Sequence, residues 1–257
     1  MLAWAQLHGK EKLRRMPDTN VAATDSFAVT GVNRLRRRHE RGHYDKATVY
    51  AILDAALVCH IAYVIDGRPF CTPTGFWREG DHLYWHGSSA SRAIRQQTGL
   101  PVCLTVTHLD ALVMARSGFH HSVNYRSVMA WGRAHPVIDH AEKLRLMDNF
   151  IDRVYPGRST LIRQPTEQEL KATTMMGMAI ETASAKIRNT HVSDDEEDYA
   201  AVPAWSAVYP VTQVLGEPSE CARQLPGLTT PEGMADFVPG TTLDELLRRT
   251  YRRTFGE

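Results

Sequence analysis

The sequence predicts a mainly β (α+β) protein, a small antiparallel barrel of six to eight strands with a few peripheral helices. Two observations carry this. From residue 58 onward, short runs rich in β-branched and aromatic residues recur between turn signals. Stretches with a helical period are few and lie before or between those runs. There is no internal repeat and no low-complexity segment to suggest another architecture.

The elements follow in order. Val49, Ile52, Leu53, Ala56 and Leu57 make an i, i+3, i+4, i+7, i+8 stripe, with Asp45 available as N-cap, so residues 45–57 form an amphipathic helix. LVCHIAYVI is too short and too β-branched for a second helix, and Asp66-Gly67 closes it as a hairpin turn. RPFCTPTGFW and HLYWHG pair around Glu79-Gly80-Asp81, and a short helix then runs to about Gln97 before Gly99 and Pro101. PVCLTVTHL alternates cleanly, with Val102, Leu104 and Val106 on one face; ALVMARS and SVNYRSVMAWGRA continue as strands. Residues 140–155 set Leu144, Met147, Ile151 and Val154 on a helical face ended by Pro156-Gly157, and Thr166 with Glu169 forms a capping box. MGMAIETASAKIR and AWSAVYPVTQVL read as two more strands, with SDDEEDYA between them as a solvated acidic loop.

The 257 residues can bury a sizeable core. The reading places a tail at 1–30, the barrel at 31–220 and a C-terminal extension at 221–257. A net charge of +1 gives no field to gather nucleic acid or a membrane surface, and no run of eighteen apolar residues is present. Cys59, Cys71, Cys103 and Cys221 lack C-x-x-C spacing and read as reduced thiols of a cytoplasmic protein.

Two patterns mimic sites. His39-Glu40-Arg41-Gly42-His43 matches H-E-x-x-H, but it follows three arginines, contains a glycine and has no apolar face, so it reads as an exposed lead-in and no metal is expected. Arg34, Arg36, Arg37, Arg38 and Arg41 lack interleaved aromatics and read as a solvated or subunit-bridging segment. His120-His121 reads as a loop pair near a ligand pocket.

The stretch from Gly67 to Arg92 is different. Ser88, Ser89 and Ser91 with Arg92 at a helix start supply more hydroxyl and guanidinium groups than capping requires, and suit a phosphate. Neither a Gly-x-Gly-x-x-Gly nor a Walker loop is present, so the pattern points to a small phosphorylated cofactor on a barrel. Thr72, Pro73, Thr74 and Gly75 put proline and glycine inside a strand, which marks an edge or a close approach of another group to the backbone. Trp85 suits the core or a ring contact equally.

Residues 44–214 resemble the pyridoxamine 5′-phosphate oxidase-like family of FMN-binding split β-barrels, nearest to its nitroimidazole-resistance and flavin-nucleotide-binding branch. The carrying stretches are LDAALVCHIAYVIDGRPFCTPTGFWREGDHLYWHGSSASR, NYRSVMAWGRA and VYPVTQVLG. The resemblance implies FMN lying along Thr72–Gly75, with Trp85-His86 at the family's aromatic–Thr step. It also implies Ser91-Arg92 at the phosphate signature and Ser127 at the family's cofactor-reaching glutamine. Thr72 stands where the family has arginine and Ala93 where it has lysine, and the ending TTLDELLRRTYRRTF lacks the Arg-Leu-His-x-Arg substrate signature. Pyridoxamine phosphate oxidation is therefore not expected. The implied protein is a homodimeric flavin oxidoreductase acting on a small nitro- or quinone-like molecule. The alternatives are a non-catalytic flavin- or haem-binding protein, with haem on His60, His86 or His120, and a reductase that uses deazaflavin F420 on the same fold.

Overall fold

The computed structural model describes residues 25–256, without the side chains of Arg92 and Ala93. Two-residue periodicity organises it. The elements run β1 Gly42–His43, α1 Lys46–Asp54, β2 Val58–Ile65, β3 Arg68–Glu79, β4 His82–Ser88, α2 Arg92–Gln97, β5 Pro101–Met114 and β6 Ser122–Arg133. They continue as β7 His135–Pro136, α3 His140–Asp152, α4 Glu167–Ala172, β8 Thr173–Ala179, β9 Thr182–Arg188, α5 Glu196–Ala201, β10 Ala207–Pro210 and α6 Leu243–Phe255. All strand pairings are antiparallel, in the order β1-β9-β6-β5-β2-β3-β4-β8-β7, with β10 on the free part of β5. This is a split β-barrel of α+β type.

The split has a covalent cause. MGMAIETASAKIR, expected as one strand, breaks at Ile180-Glu181: β8 pairs with β4, and β9 pairs with β6. Two residues thus carry the chain from one end of the strand path towards the other. Ile180 N–H bonds Asp81 O (2.9 Å) and Glu181 N–H bonds Trp131 O (3.0 Å) across the seam. A Cβ at Gly132 would stand 2.2 Å from Ala179 O, so the seam closes only because residue 132 has no side chain.

Inward residues of every long strand meet in one core, among them Ile61, Leu83, Trp85, Leu104, Val106, Val128, Met176 and Ala183. The Asp66-Gly67 turn has φ of 48° and 74°, as a two-residue hairpin requires. PVCLTVTHL and ALVMARS, read as separate runs, are a single strand with an irregularity between Leu109 and Ala111. The last expected strand shrinks to Ala207–Pro210. The acidic run holds the short helix α5, and the Asp194 carboxylate is buried against Arg116 instead of solvated (2.9 Å to its N–H, 3.1 Å to Nη1). In α3 the fully buried side chain is Leu146, off the expected stripe, while Met147 of that stripe packs against the same cluster and Arg153 just past the helix is buried.

The Asp45 cap (Thr48 N–H, 2.8 Å) and the Thr166–Glu169 capping box form as expected. The described part of the lead-in joins the fold: Phe27 is buried and its N–H bonds Tyr44 O. At the other end, α6 buries Leu246, Leu247 and Tyr251. Tyr251 helps enclose Arg78, whose guanidinium makes a two-pronged contact with Asp54 (2.9 and 2.7 Å) and stacks on Tyr50 and Tyr251. The H-E-x-x-H pattern forms a turn of 3-10 helix and a two-residue strand paired with β9, with His39 exposed. Among the described residues, no helix is long and apolar enough to cross a membrane.

Candidate functional site

Strand β3 has two lives. Arg68–Gly75 pairs with β2, and Phe76–Glu79 pairs with β4. The β3–β4 ladder starts only at Phe76↔Trp85, so β4 leans away from β3 beyond that point and a wedge opens between them. Phe76 N–H bonds Leu57 O, which sets the phase of the β2 ladder: Thr74 and Thr72 bond β2, whereas the main-chain groups of Gly75, Pro73 and Cys71 face the open edge. Proline at 73 fits this phase, since its missing N–H would have pointed away from β2.

A cavity of about 140 Å³ fills the wedge. Thr72, Pro73 and Thr74 line one wall, Trp85, His86 and Gly87 the other, and Ser91, Ile94 and Gln97 close it from α2. Six of the residues singled out in the sequence thus meet around one space: Thr72, Pro73, Thr74, Trp85, His86 and Ser91. Gly75 follows Thr74 on the strand but does not line the cavity; a Cβ there would meet Phe150 of α3 at 3.7 Å. Gly87 lets α2 settle on β4, because a Cβ there would approach Ile94 Cγ1 to 2.7 Å. Gln97 is buried and accepts from Trp85 Nε1 (3.2 Å), so Trp85 is a core residue whose edge also reaches the cavity. Ile61, Gly87, Ile94 and Gln97 were missed by the sequence reading; a polar residue ending the short helix was the one signal for Gln97.

The polar groups in the wedge are sparsely used. Ser91 stands at the N-cap position of α2, yet its hydroxyl caps nothing. Ser88 Oγ accepts from Ala90 N–H (3.2 Å), and Ser89 N–H bonds Ala172 O (2.8 Å). Thr72 Oγ1 meets Tyr63 Oη at 3.1 Å. His86 Nδ1 is buried with no hydrogen-bond partner, its ring edge-on to Phe150 at 4.7 Å. Burial pushes the His86 imidazole below its ordinary range, so it is neutral at neutral pH. The Arg92 side chain lies outside the described residues. Ser127 is placed elsewhere: it sits on β6 opposite Thr107, its hydroxyl 3.4 Å from Lys186 O, with β2 and β5 between it and the wedge.

Two larger clefts exist, of about 640 Å³ beside Asp152 and Arg253 and about 380 Å³ beside Arg126. Most of their charged side chains are engaged internally. Asp152 accepts from Ser159 and Arg253 pairs with Asp236, while Arg126 holds both Asp110 and Asp244. The wedge is smaller, but it gathers the open strand edge and the uncapped Ser91 hydroxyl among the described residues.

The family model described as pyridoxamine 5′-phosphate oxidase matches residues 45–187, more than half of the chain. The chain belongs to that family. No curated protein matches it. It is similar to the flavocytochrome Anf3 from Azotobacter vinelandii, with 41% identity over 82% of this chain and 98% of that one, and a TM-score of 0.77. It is also similar to the FAD and haem binding protein from Mycobacterium smegmatis, with 32% identity over 79% of this chain and 98% of that one, and a TM-score of 0.73.

Proposed function

We propose that this member of the pyridoxamine 5′-phosphate oxidase family is a flavin-binding redox protein, with FMN in the wedge between β3 and β4. The observation that carries the reading is the open main-chain edge at Cys71, Pro73 and Gly75, facing a cavity that ends at the uncapped Ser91. A flavin ring is flat and edged with donors and acceptors, which an unpaired strand edge can meet. The flavin supplies the electron transfer when bound. The chain's own groups hold and orient it: the β3 edge lies along the ring, Ser91 and Arg92 take the phosphate, and neutral His86 keeps an unspent Nδ1 at the cavity wall. The relatives' descriptions support a flavin; the description of the M. smegmatis protein names FAD.

The cavity of about 140 Å³ is too small to enclose a flavin nucleotide, since enclosing ligand sites run to roughly 300–1,000 Å³. A second copy of the chain completes the site in this reading. Val58, Val64 and Met129 project from the outer face of β2 and β6 with 58%, 57% and 44% of their surface exposed, an apolar face suited to such a partner. Small nitro- or quinone-like molecules are the proposed electron acceptors.

Titration of FMN, FAD and riboflavin into the wild type and Arg92→Ala tests the reading. Charge-assisted contacts contribute about 1.5–3 kcal/mol, so Arg92→Ala should weaken FMN about ten- to a hundredfold while leaving riboflavin unchanged. Equal weakening of both ligands would remove Arg92 from the phosphate site, and absence of flavin binding by the wild type would end the proposal. A second reading adds a haem, seated apart from the wedge: the M. smegmatis protein's description names haem, and the A. vinelandii protein is described as a flavocytochrome.

A further inference from the structure

The tip of the β5–β6 hairpin holds a histidine prepared as a metal ligand. His121 Nδ1 lies 2.8 Å from Ser117 O, and a carbonyl can only accept, so Nδ1 carries the proton and Nε2 keeps a free lone pair. A histidine that binds a metal through one nitrogen characteristically donates the other N–H to such a carbonyl, which fixes the tautomer and the ring. His121 is exposed. Its neighbour His120 is engaged otherwise: Nδ1 meets Ser117 Oγ at 2.8 Å, and the ring lies beside Asp194 and Asp195 (3.9 and 3.8 Å).

Beside His121 is an exposed apolar surface. Tyr209, Leu112 and Val123 stand in register across β10, β5 and β6 on one face, each partly open to solvent. Met114 follows on the same face of β5, and Trp205 packs on Tyr209 with ring centroids 5.9 Å apart. Phe119, 88% exposed, crowns the hairpin two residues before His121. A flat, apolar, partly aromatic surface bordered by a preset imidazole meets the two demands of a haem: a place to lay the macrocycle and one axial nitrogen. A contact between two protein chains would use the apolar surface but has no need of a free Nε2.

We infer that His121 is an axial ligand for a haem seated on the Leu112–Val123–Tyr209 surface. The inference rests on the second reading above and uses no residue of the flavin wedge. It departs from His60, His86 and His120, the ligands expected from sequence, none of which ties Nδ1 to a main-chain carbonyl.

The full chain is titrated with haemin and followed by its Soret band, in the oxidised state and after dithionite reduction. The wild type should bind saturably with the spectrum of an imidazole-ligated iron. His121→Ala should lose at least about tenfold in affinity, and added imidazole should restore the spectrum, which a purely structural role would not allow. His60→Ala and His120→Ala should keep the wild-type spectrum, and Leu112→Asp should weaken uptake without changing the ligation signature. FMN titration of each variant serves as the folding control. Flavin binding without saturable haemin binding by the wild type would overturn the haem inference and leave the flavin reading standing. So would His121→Ala with wild-type affinity and spectrum. Haemin binding without flavin binding would reject the flavin reading alone.

Discussion

The two halves of β3 show how one strand can be made both a structural beam and a ligand seat. Phe76, Trp77 and Arg78 are almost fully buried, and each polar group there is met: Trp77 Nε1 donates to Glu79 (2.8 Å), Arg78 clasps Asp54 and donates to Gly80 O (2.8 Å), and Tyr251 Oη approaches Arg78 O (3.3 Å). Earlier in the strand the pattern loosens, with Pro69, Cys71 and Pro73 exposed and one edge unpaired. Large aromatics with a buried ion pair fix the first region, whereas small and φ-restricted residues keep the second open. The difference lies in side-chain chemistry, since the backbone is extended throughout.

The strongest way to break the comparison is to attack the closed half. Asp54→Ala strands a buried guanidinium, and loss of one partner from such a pair costs about 3–5 kcal/mol. Urea denaturation should show a loss of that size, and a loss under about 1 kcal/mol would mean that water replaces the carboxylate. Gly132→Ala comes next. The added Cβ would strike Ala179 O, a main-chain atom, so the seam must open, at about 1–3 kcal/mol. Its melting temperature should fall while FMN affinity changes little.

Those two positions differ in how far the sequence revealed them. Local composition and turn signals marked the long strands β2 to β6, though not β1 or β7, and the Pro73-Gly75 irregularity pointed to the wedge, because both are local signals. Gly132 looked ordinary, since its role depends on a carbonyl 47 residues further along the chain. The break at Ile180-Glu181 was hidden for the same reason: both sides have strand character, and only the competition between β4 and β6 for partners divides them. Ser127 was placed by family pattern, and the distance across two strands was invisible in one dimension. Asp194 was lost in an acidic run whose charge hid its partner Arg116 on another hairpin.

His86 offers a finer test within the open half. Its folded pKa is depressed by burial, so the unfolded chain binds a proton first as pH falls. Stability should be steady above about pH 6.5 and should decline as pH falls from there towards the lower folded pKa. His86→Gln should flatten that decline, and an unchanged pH profile would show that the imidazole is solvated. The smallest expected effect is on stability at Thr74, whose hydroxyl makes only long contacts, with Gly75 O (3.4 Å) and His86 O (3.5 Å). Thr74→Val should shift unfolding by no more than about 0.5–1 kcal/mol and weaken FMN binding by a larger factor than it changes folding.

Amide hydrogen exchange, measured residue by residue with and without FMN, tests the central claim most directly. Without ligand, the amides of Cys71 and Gly75 should exchange fast, and those of Trp77 and Arg78 slowly, because one half of β3 is open and the other is enclosed. Saturating FMN should slow Cys71, Gly75 and the Ser88–Ser91 loop while leaving Phe76–Glu79 as it was. A protein saturated with FMN in which Cys71 and Gly75 exchange as fast as before would contradict the placement of the flavin on this edge.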